Sequence, residues 1–392
     1  MSLQRSRLTA RVAYGGLGRP VEHGVVVMQD AAGDERILFV GEADEAERRW
    51  PDAVPKDAGF AMSPPPVNAH AHLDLTTMPF VEDAYETFIR AVIAHGRNGG
   101  RGLEAAKRGV AELRAAGTHT VGDIVADEVT MRWLLSEADV QGVAYWEVFA
   151  PDPADADRTF EDTVEKLRAF RALERPGKMR VGLAPHTPHT VSTPLLQRLA
   201  RLAQANDLPM QIHVAESPSE VTLHATGDGP LRALMGPLLA NFTPSGLSPV
   251  QYLADLGVLE ARPTLVHGVQ VDEADVRTIQ RAGSVVVHCP RSNAALQCGR
   301  FPWELYAKHG ATVAFGTDSR GSSPSLDVQE EVSAAAGQHG ARANPAALVW
   351  SAVKGGHRAL GSTPPRIVRG DPAEGLVTWR VQVHEARPVS DI

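Results

Sequence analysis

Cysteine is nearly missing from this chain: Cys289 and Cys298 are its only two. That is too few for a disulfide framework, and neither sits in a thiol motif, so a reducing compartment is the expected setting. Positive charge is also short. Lys and Arg total 39 against 47 Asp and Glu, a formal charge of −8, with no basic stripe that could displace counterions from a phosphate backbone, which excludes nucleic acid as the expected partner. No apolar run is long enough to span a bilayer, and Met1–Arg7 leads into no apolar segment of signal-peptide type. The expectation is therefore a soluble, cytoplasmic protein without a membrane partner. Internal repeats and low-complexity tracts are lacking as well.

What remains is 392 residues, 43% of them hydrophobic and rich in Gly and Pro, a composition suited to an α/β enzyme with one large barrel and an accessory domain. Strand-like pieces such as Gly24–Met28 and Ile37–Gly41 occupy the first 60 or so residues, and the same texture returns at Leu376–Trp379 and Val381–Val383. Neither end alone can bury a sheet face, so residues 1–62 and 361–392 are expected to share one small β-domain of sandwich type. The intervening 63–360 carries eight short apolar runs, most followed by an amphipathic segment, which is the pattern of a (β/α)8 TIM-like barrel. The expected strands are Pro66–His70, Thr120–Val125, Val143–Phe149, Val181–Pro185, Met210–Val214, Thr264–His267, Ser284–His288 and Thr312–Gly316. Helical spacing marks Leu103–Ala116 and Leu195–Asn206. One insertion, Ser217–Glu260, exceeds a plain helical return and is expected over the strand ends as a lid or pocket wall.

The chemistry-bearing residues gather at the ends of these strands. His70 and His72 stand two apart, a spacing that points both imidazoles to one face. Later strands end in His213, with Glu216 three residues on, in His267, and in Gly316-Thr317-Asp318-Ser319. Barrel active sites are assembled from the C-terminal ends of several strands, and imidazoles with one carboxylate suit a Zn²⁺ or Fe²⁺ ion that keeps a position open for water. The remaining histidines, His23, His95, His119, His309, His339, His357 and His384 among them, lie outside these strand ends and read as structural.

His70-Ala71-His72, His213 with Glu216, His267, the run His288-Cys289-Pro290-Arg291-Ser292-Asn293 and Gly316-Thr317-Asp318-Ser319 together resemble the cytosine, guanine and adenosine-type deaminase branch of the amidohydrolase superfamily. The resemblance covers essentially the whole chain. It implies His70, His72, His213 and Asp318 as metal ligands, His267 as a hydrogen-bonding partner of the attacking water, Glu216 as proton shuttle, and Asp318 as acceptor of the water proton. It also implies one metal ion per chain rather than two. Two-metal members carry a bridging lysine at the end of the fourth strand, where this chain has Leu183-Ala184-Pro185-His186. His186 is the implied substrate contact, and the role of His189 stays open.

Within the branch, the stretch from His288 to Asp327 is similar to enzymes acting on 5′-substituted adenosines. The aminodeoxyfutalosine deaminases of menaquinone biosynthesis come first, the S-adenosylhomocysteine and methylthioadenosine deaminases next. The Trp-Pro-x-Glu element usual in the latter has no clear version in Met78-Pro79-Phe80-Val81-Glu82. The implied reaction is attack of activated water at C6 of the adenine with release of ammonia. A small nucleoside is the expected partner, and a homo-oligomer is compatible with the sequence. Arg291 and Arg320 are expected to hold a carboxylate at the far end of the substrate. Hydrolytic dechlorination of aminotriazines is the alternative on the same scaffold; a non-catalytic barrel is disfavoured because every expected ligand is present.

Overall fold

A computed structural model describes residues 4–14, 21–31 and 34–381. Through its middle run eight short parallel strands, each followed by at least one helix. They are β1 (Val67–His72), β2 (Thr120–Val125), β3 (Gln141–Val148), β4 (Met179–Pro185), β5 (Gln211–Val214), β6 (Thr264–His267), β7 (Val285–His288) and β8 (Thr312–Phe315). Each expected strand has its counterpart, with ends displaced by no more than two residues; β1 continues through His72 instead of stopping at His70. The strands form because β-branched runs such as Val285-Val286-Val287 pack on both faces: every residue of β1, β5, β6 and β7 is buried, as expected of parallel strands covered on both sides.

Pairing follows chain order in two sheets, β4-β3-β2-β1 and β5-β6-β7-β8. A parallel bridge between Leu183 and Met210 joins β4 to the segment entering β5. At the other side Asp318 and Ser319 pair with Ala71 and His72 of β1, and the Thr317 amide donates to the His70 carbonyl at 3.0 Å. Gly316 makes this join feasible. A Cβ there would fall 2.8 Å from both the Cβ and the carbonyl oxygen of His70, so any larger residue would push Asp318 away from the histidines.

The connecting helices carry one buried stripe each. In Thr193–Ala205 it consists of Leu195, Leu196, Leu199, Ala200 and Ala203. The helix Glu273–Ala282 starts with a capping box between Asp272 and Asp275. The long insertion folds as the helices Pro218–Thr226, Pro230–Met235 and Pro249–Asp255, with a 3-10 turn at Gly236–Leu239.

The chain ends build two four-stranded sheets. One has the order Asp34–Glu42, Gly24–Ala31, Gln4–Thr9, Val54–Asp57; the other Val377–Trp379, Ala61–Ser63, Val12–Ala13, Val21–Glu22. The far C-terminal strand thus pairs with an N-terminal one, and the buried Trp379 indole donates to Ser63 Oγ at 2.7 Å. Leu8, Val26 and Ile37 of the first sheet share a buried cluster with Ala13 and Met62 of the second. Of the expected strand Val381–Val383, residues 382 and 383 lie outside the described residues, as does His384. No helix among the described residues is long and apolar enough to cross a membrane.

Candidate active site

The ends of β1, β5 and β6 and the turn after β8 bring His70, His72, His213, His267 and Asp318 together. In three overlapping groups, His70–His213–His267, His70–His72–Asp318 and Glu216–His267–Asp318, the ligand-type atoms lie within 4.8 Å of one another. The backbone is bent to achieve this. The β1–β2 register slips between Asn68 and Ala71, and the non-glycine residues Ala215, His267 and Asp318 have φ values of 52°, 74° and 60°. Such left-handed residues cost roughly 1–3 kcal/mol each and collect at functional sites.

His70 and His213 are each aimed by a second hydrogen bond. His70 Nδ1 lies 2.6 Å from Gln211 Oε1, while Gln211 Nε2 donates to the Ala69 carbonyl at 3.0 Å. That amide orientation makes Nδ1 the protonated nitrogen of His70 and leaves Nε2 a lone pair. Nε2 is buried with no hydrogen-bond partner and sits 3.6 Å from Asp318 Oδ1. His213 Nδ1 donates to the His186 carbonyl at 2.9 Å, and its Nε2 faces His72 Nε2 at 3.3 Å. Two imidazole nitrogens at that distance leave the pair one proton at most, a donor set suited to a cation between them.

Burial and the neighbouring His70 push His72 down to about 3, and burial drives His213 well below the usual histidine range. Both are therefore neutral, the ligand form. Asp318 is buried, which raises its carboxyl, but the neighbouring His70, His72 and His267 hold it well below the carboxylate range. Its Oδ2 accepts from Ser292 Oγ at 2.7 Å and Ser322 Oγ at 2.9 Å. Aimed neutral imidazoles, one ionised carboxylate and an orphaned Nε2 fit a divalent metal. Replacing Gln211 with Leu removes the anchor of His70, and we expect metal affinity to fall about tenfold, read by competition with a chelator.

Glu216 stands at the edge of this cluster, with its Oε1 3.4 Å from His267 Nε2. Asn293 Nδ2 donates to His267 Nδ1 at 3.0 Å, which places the imidazole proton on Nε2, facing the cluster. Burial, then the charges of Asp318 and Glu220, raise the Glu216 carboxyl well above its ordinary range. The Tyr85 hydroxyl hydrogen-bonds Glu216, and the Glu216 amide donates to Glu220 Oε2 at 2.8 Å.

Above lies a cleft of about 350 Å³, within the range of small-molecule sites. His186, His189, Glu147 and Arg101 line it beside the cluster; Phe88, Ile89, Val92, Leu231, Met235 and Leu238 form apolar walls. The insertion thus supplies one wall through Leu231, Met235 and Leu238. Arg101 donates to Asp74 at 2.6 Å and lies 3.4 Å from Glu147, holding that buried carboxylate charged beside His186.

The two arginines expected at the mouth are elsewhere. Arg291 is bound by Glu331 at 2.6 Å, by Glu330 and by the carbonyls of Ser325 and Asp327. Arg320 is held by Glu112 at 3.1 Å and by the Ser323 carbonyl at 2.8 Å. Neither lines the cleft. The arginine at its rim is Arg97, which has no ion pair or hydrogen bond among the described residues. Arg97 and Tyr85 were not legible in the sequence, since the helix Tyr85–Arg97 reads as an amphipathic element without a motif. Of the histidines read as structural, His95, His309, His339 and His357 bond to Thr77, Glu273, His288 and Ser362.

The sequence matches the amidohydrolase family over residues 62–361. It is 42% identical to the aminodeoxyfutalosine deaminase of Deinococcus radiodurans, over 95% of this chain and 90% of that protein. It is 30% identical to a 5-methylthioadenosine/S-adenosylhomocysteine deaminase of Halobacterium salinarum, over 93% and 83% of the two chains. The structure superposes on Helicobacter pylori aminofutalosine deaminase in complex with methylthio-coformycin with a TM-score of 0.74 at 18% identity, covering 94% of this chain and 90% of that one, which establishes a shared fold. With the family match spanning most of the chain, and a relative at 42% identity over nearly all of it, this protein belongs to the amidohydrolase family.

Proposed function

We propose that this protein is a hydrolytic deaminase of 5′-substituted adenosines and that its substrate is 6-amino-6-deoxyfutalosine, an intermediate of menaquinone biosynthesis. The observation that carries the reading is the division of the cleft: a buried cluster of imidazoles and carboxylates at the floor, and apolar walls leading to Arg97 at the rim, which is unpaired among the described residues. A nucleoside whose 5′ arm ends in an aryl carboxylate matches that sequence of surfaces. The 42% identity to an aminodeoxyfutalosine deaminase supports the same choice over the methylthioadenosine and S-adenosylhomocysteine alternative.

The eight strands are read as a (β/α)8 barrel over 63–360, closed through the Leu183–Met210 bridge and the Asp318–Ala71 pairing, with 1–62 and 361–392 as its small β-domain. His70, His72, His213 and Asp318 hold one divalent ion, Zn²⁺ or Fe²⁺. Such an ion lowers the pKa of bound water toward neutrality and polarises the reacting carbon.

The chain's own groups move the protons. With its carboxyl raised well above the usual range, Glu216 carries a proton at neutral pH and delivers it to ring N1, which lets C6 accept a nucleophile. Asp318, held ionised, takes a proton from the attacking water. Glu216, now ionised, collects the proton of the new C6 hydroxyl and passes it to the departing amine, so ammonia leaves and the ring keeps a carbonyl oxygen at C6; return of the Asp318 proton to Glu216 resets both groups. His267, with its Nε2 proton fixed by Asn293, donates to the oxygen as charge builds on it. His186 and Glu147, on the cleft wall, face the purine and the sugar.

The test is a panel of adenosine derivatives followed by the absorbance change from adenine to hypoxanthine, with protein stripped of metal and reloaded in steps. The first ion per chain is expected to restore full turnover, and aminodeoxyfutalosine to show the highest kcat/KM. A requirement for two ions per chain, or a preference for free cytosine or guanine, would overturn the reading. Chloride release from an aminotriazine at a higher kcat/KM than any nucleoside would favour the dechlorination alternative.

A further inference from the structure

Behind the cleft wall lies a second convergence of ligand-type side chains that the deamination chemistry does not use. Glu220 and His224 stand four residues apart on the helix Pro218–Thr226 and therefore share one face. His189 faces them from the turn after β4. The ligand-type atoms of the three lie within 4.8 Å of one another, and their ring planes are steeply inclined: His189 and His224 meet at 5.9 Å between centroids and 76°. All three residues are almost wholly buried, at 4%, 3% and 0% exposure for His189, Glu220 and His224.

Their hydrogen bonding is incomplete in a consistent way. His189 Nδ1, Glu220 Oε1 and both ring nitrogens of His224 are buried without a partner among the described residues. The His224 ring is surrounded instead by Phe242 and Tyr252, each at 5.2 Å, which offer it no polar atom here. Buried polar atoms are almost always paired, so four orphans within one small cluster call for a ligand. Burial pushes His224 down to about 4 and His189 well below the usual range, so both imidazoles are neutral with a lone pair to give.

We propose that His189, Glu220 and His224 form a second divalent-cation site, distinct from the catalytic cluster, that takes zinc-type ions. Two imidazoles and one carboxylate are the donor set of such ions; magnesium and calcium take oxygen ligands. Small side-chain rotations bring three atoms within 4.8 Å to the ~2.0–2.2 Å that zinc requires. His189 also lines the cleft, which gives an ion a path in and leaves a fourth position for water.

The location gives the site a mechanical consequence. Glu220 uses its other oxygen, Oε2, to accept the Glu216 amide proton. An ion held through Oε1 would therefore tie the turn after β4, the first helix of the insertion and the backbone of Glu216 into one unit. It would stiffen one wall of the cleft without contributing to the proton transfers.

The experiment is a zinc titration of the full-length enzyme already holding its catalytic ion, with bound metal counted after equilibrium dialysis. Wild type should take up one further equivalent; His224→Leu, which changes a residue outside the catalytic and substrate-binding groups, should lose that equivalent and keep turnover within a few fold. Failure of wild type to bind a further zinc, or retention of the second equivalent by His224→Leu, overturns the proposal. Because the leucine variant could fail to fold, anomalous diffraction at the zinc edge from wild-type crystals serves as an independent reading. A peak between His189, Glu220 and His224 supports the site, and no peak there at saturating zinc refutes it.

Discussion

Glu216→Gln should leave metal content and fold close to wild type while lowering turnover by roughly 10²-fold or more. The amide keeps the shape of the carboxyl and can still meet the Tyr85 hydroxyl and His267 Nε2. It cannot deliver a proton to ring N1 and collect one for the leaving amine. Glu216 lies within ligand distance of His267 and Asp318 but is not one of the four ligands assigned to the ion, His70, His72, His213 and Asp318, so metal analysis and turnover should separate in this variant. A binding role alone would raise KM and leave kcat near wild type; a shuttle role lowers kcat. Activity within a few fold of wild type would remove Glu216 from the chemistry and turn attention to His267.

The floor of the cleft was legible in the sequence because it is built from strand ends. A strand fixes the direction of its side chains by a two-residue period, so His70 and His72, and the ends of β5 and β6, could be placed from spacing alone. Asp318 was placed by its motif, although its φ of 60° and the Gly316 contact with His70 are what carry it to the histidines. The rim was not legible. Arg320 follows Asp318 by two residues, yet the turn sends its guanidinium to Glu112 and the Ser323 carbonyl. Arg291 lies within three residues of His288, but the buried Glu331 beside it requires a cation and takes it. Neighbours of a ligand in sequence are as often its scaffold as its substrate contacts. Tyr85 and Arg97 come from a helix that begins more than ten residues after β1, and its Tyr85 end packs with Leu231 and Met235 of the insertion, which no local pattern encodes. The terminal sheets were readable only as texture: Val377–Trp379 pairs with Ala61–Ser63 across most of the chain, and strand propensity alone does not choose partners.

Arg97→Ala should lower kcat/KM for aminodeoxyfutalosine roughly thirtyfold and leave adenosine almost unchanged. The expectation rests on what surrounds the residue. Ile93, Phe149 and Leu238 are large apolar side chains that remain 42%, 44% and 51% exposed, and all three line the cleft beside Arg97. An exposed apolar rim of this kind marks a surface meant to be covered, and an aryl group in transit from a ribose at the floor would cover it. Among the described residues the guanidinium at its edge has no partner to compete for it, in contrast to Arg101, Arg291 and Arg320. A hydrogen bond between charged groups contributes about 2 kcal/mol, which is roughly a factor of thirty in affinity. Adenosine carries no group that reaches the rim, so its kcat/KM is the internal control. The loss should appear mainly in KM, because the contact is made equally in the ground and transition states. Arg97→Lys should recover part of it, since the charge is kept and the fork is lost. The companion variant Arg320→Ala should not narrow the gap between the two nucleosides, since its guanidinium is committed to Glu112. If Arg97→Ala slows both substrates alike, the carboxylate is not read at this rim, and the choice among 5′-substituted adenosines must rest on the apolar walls alone.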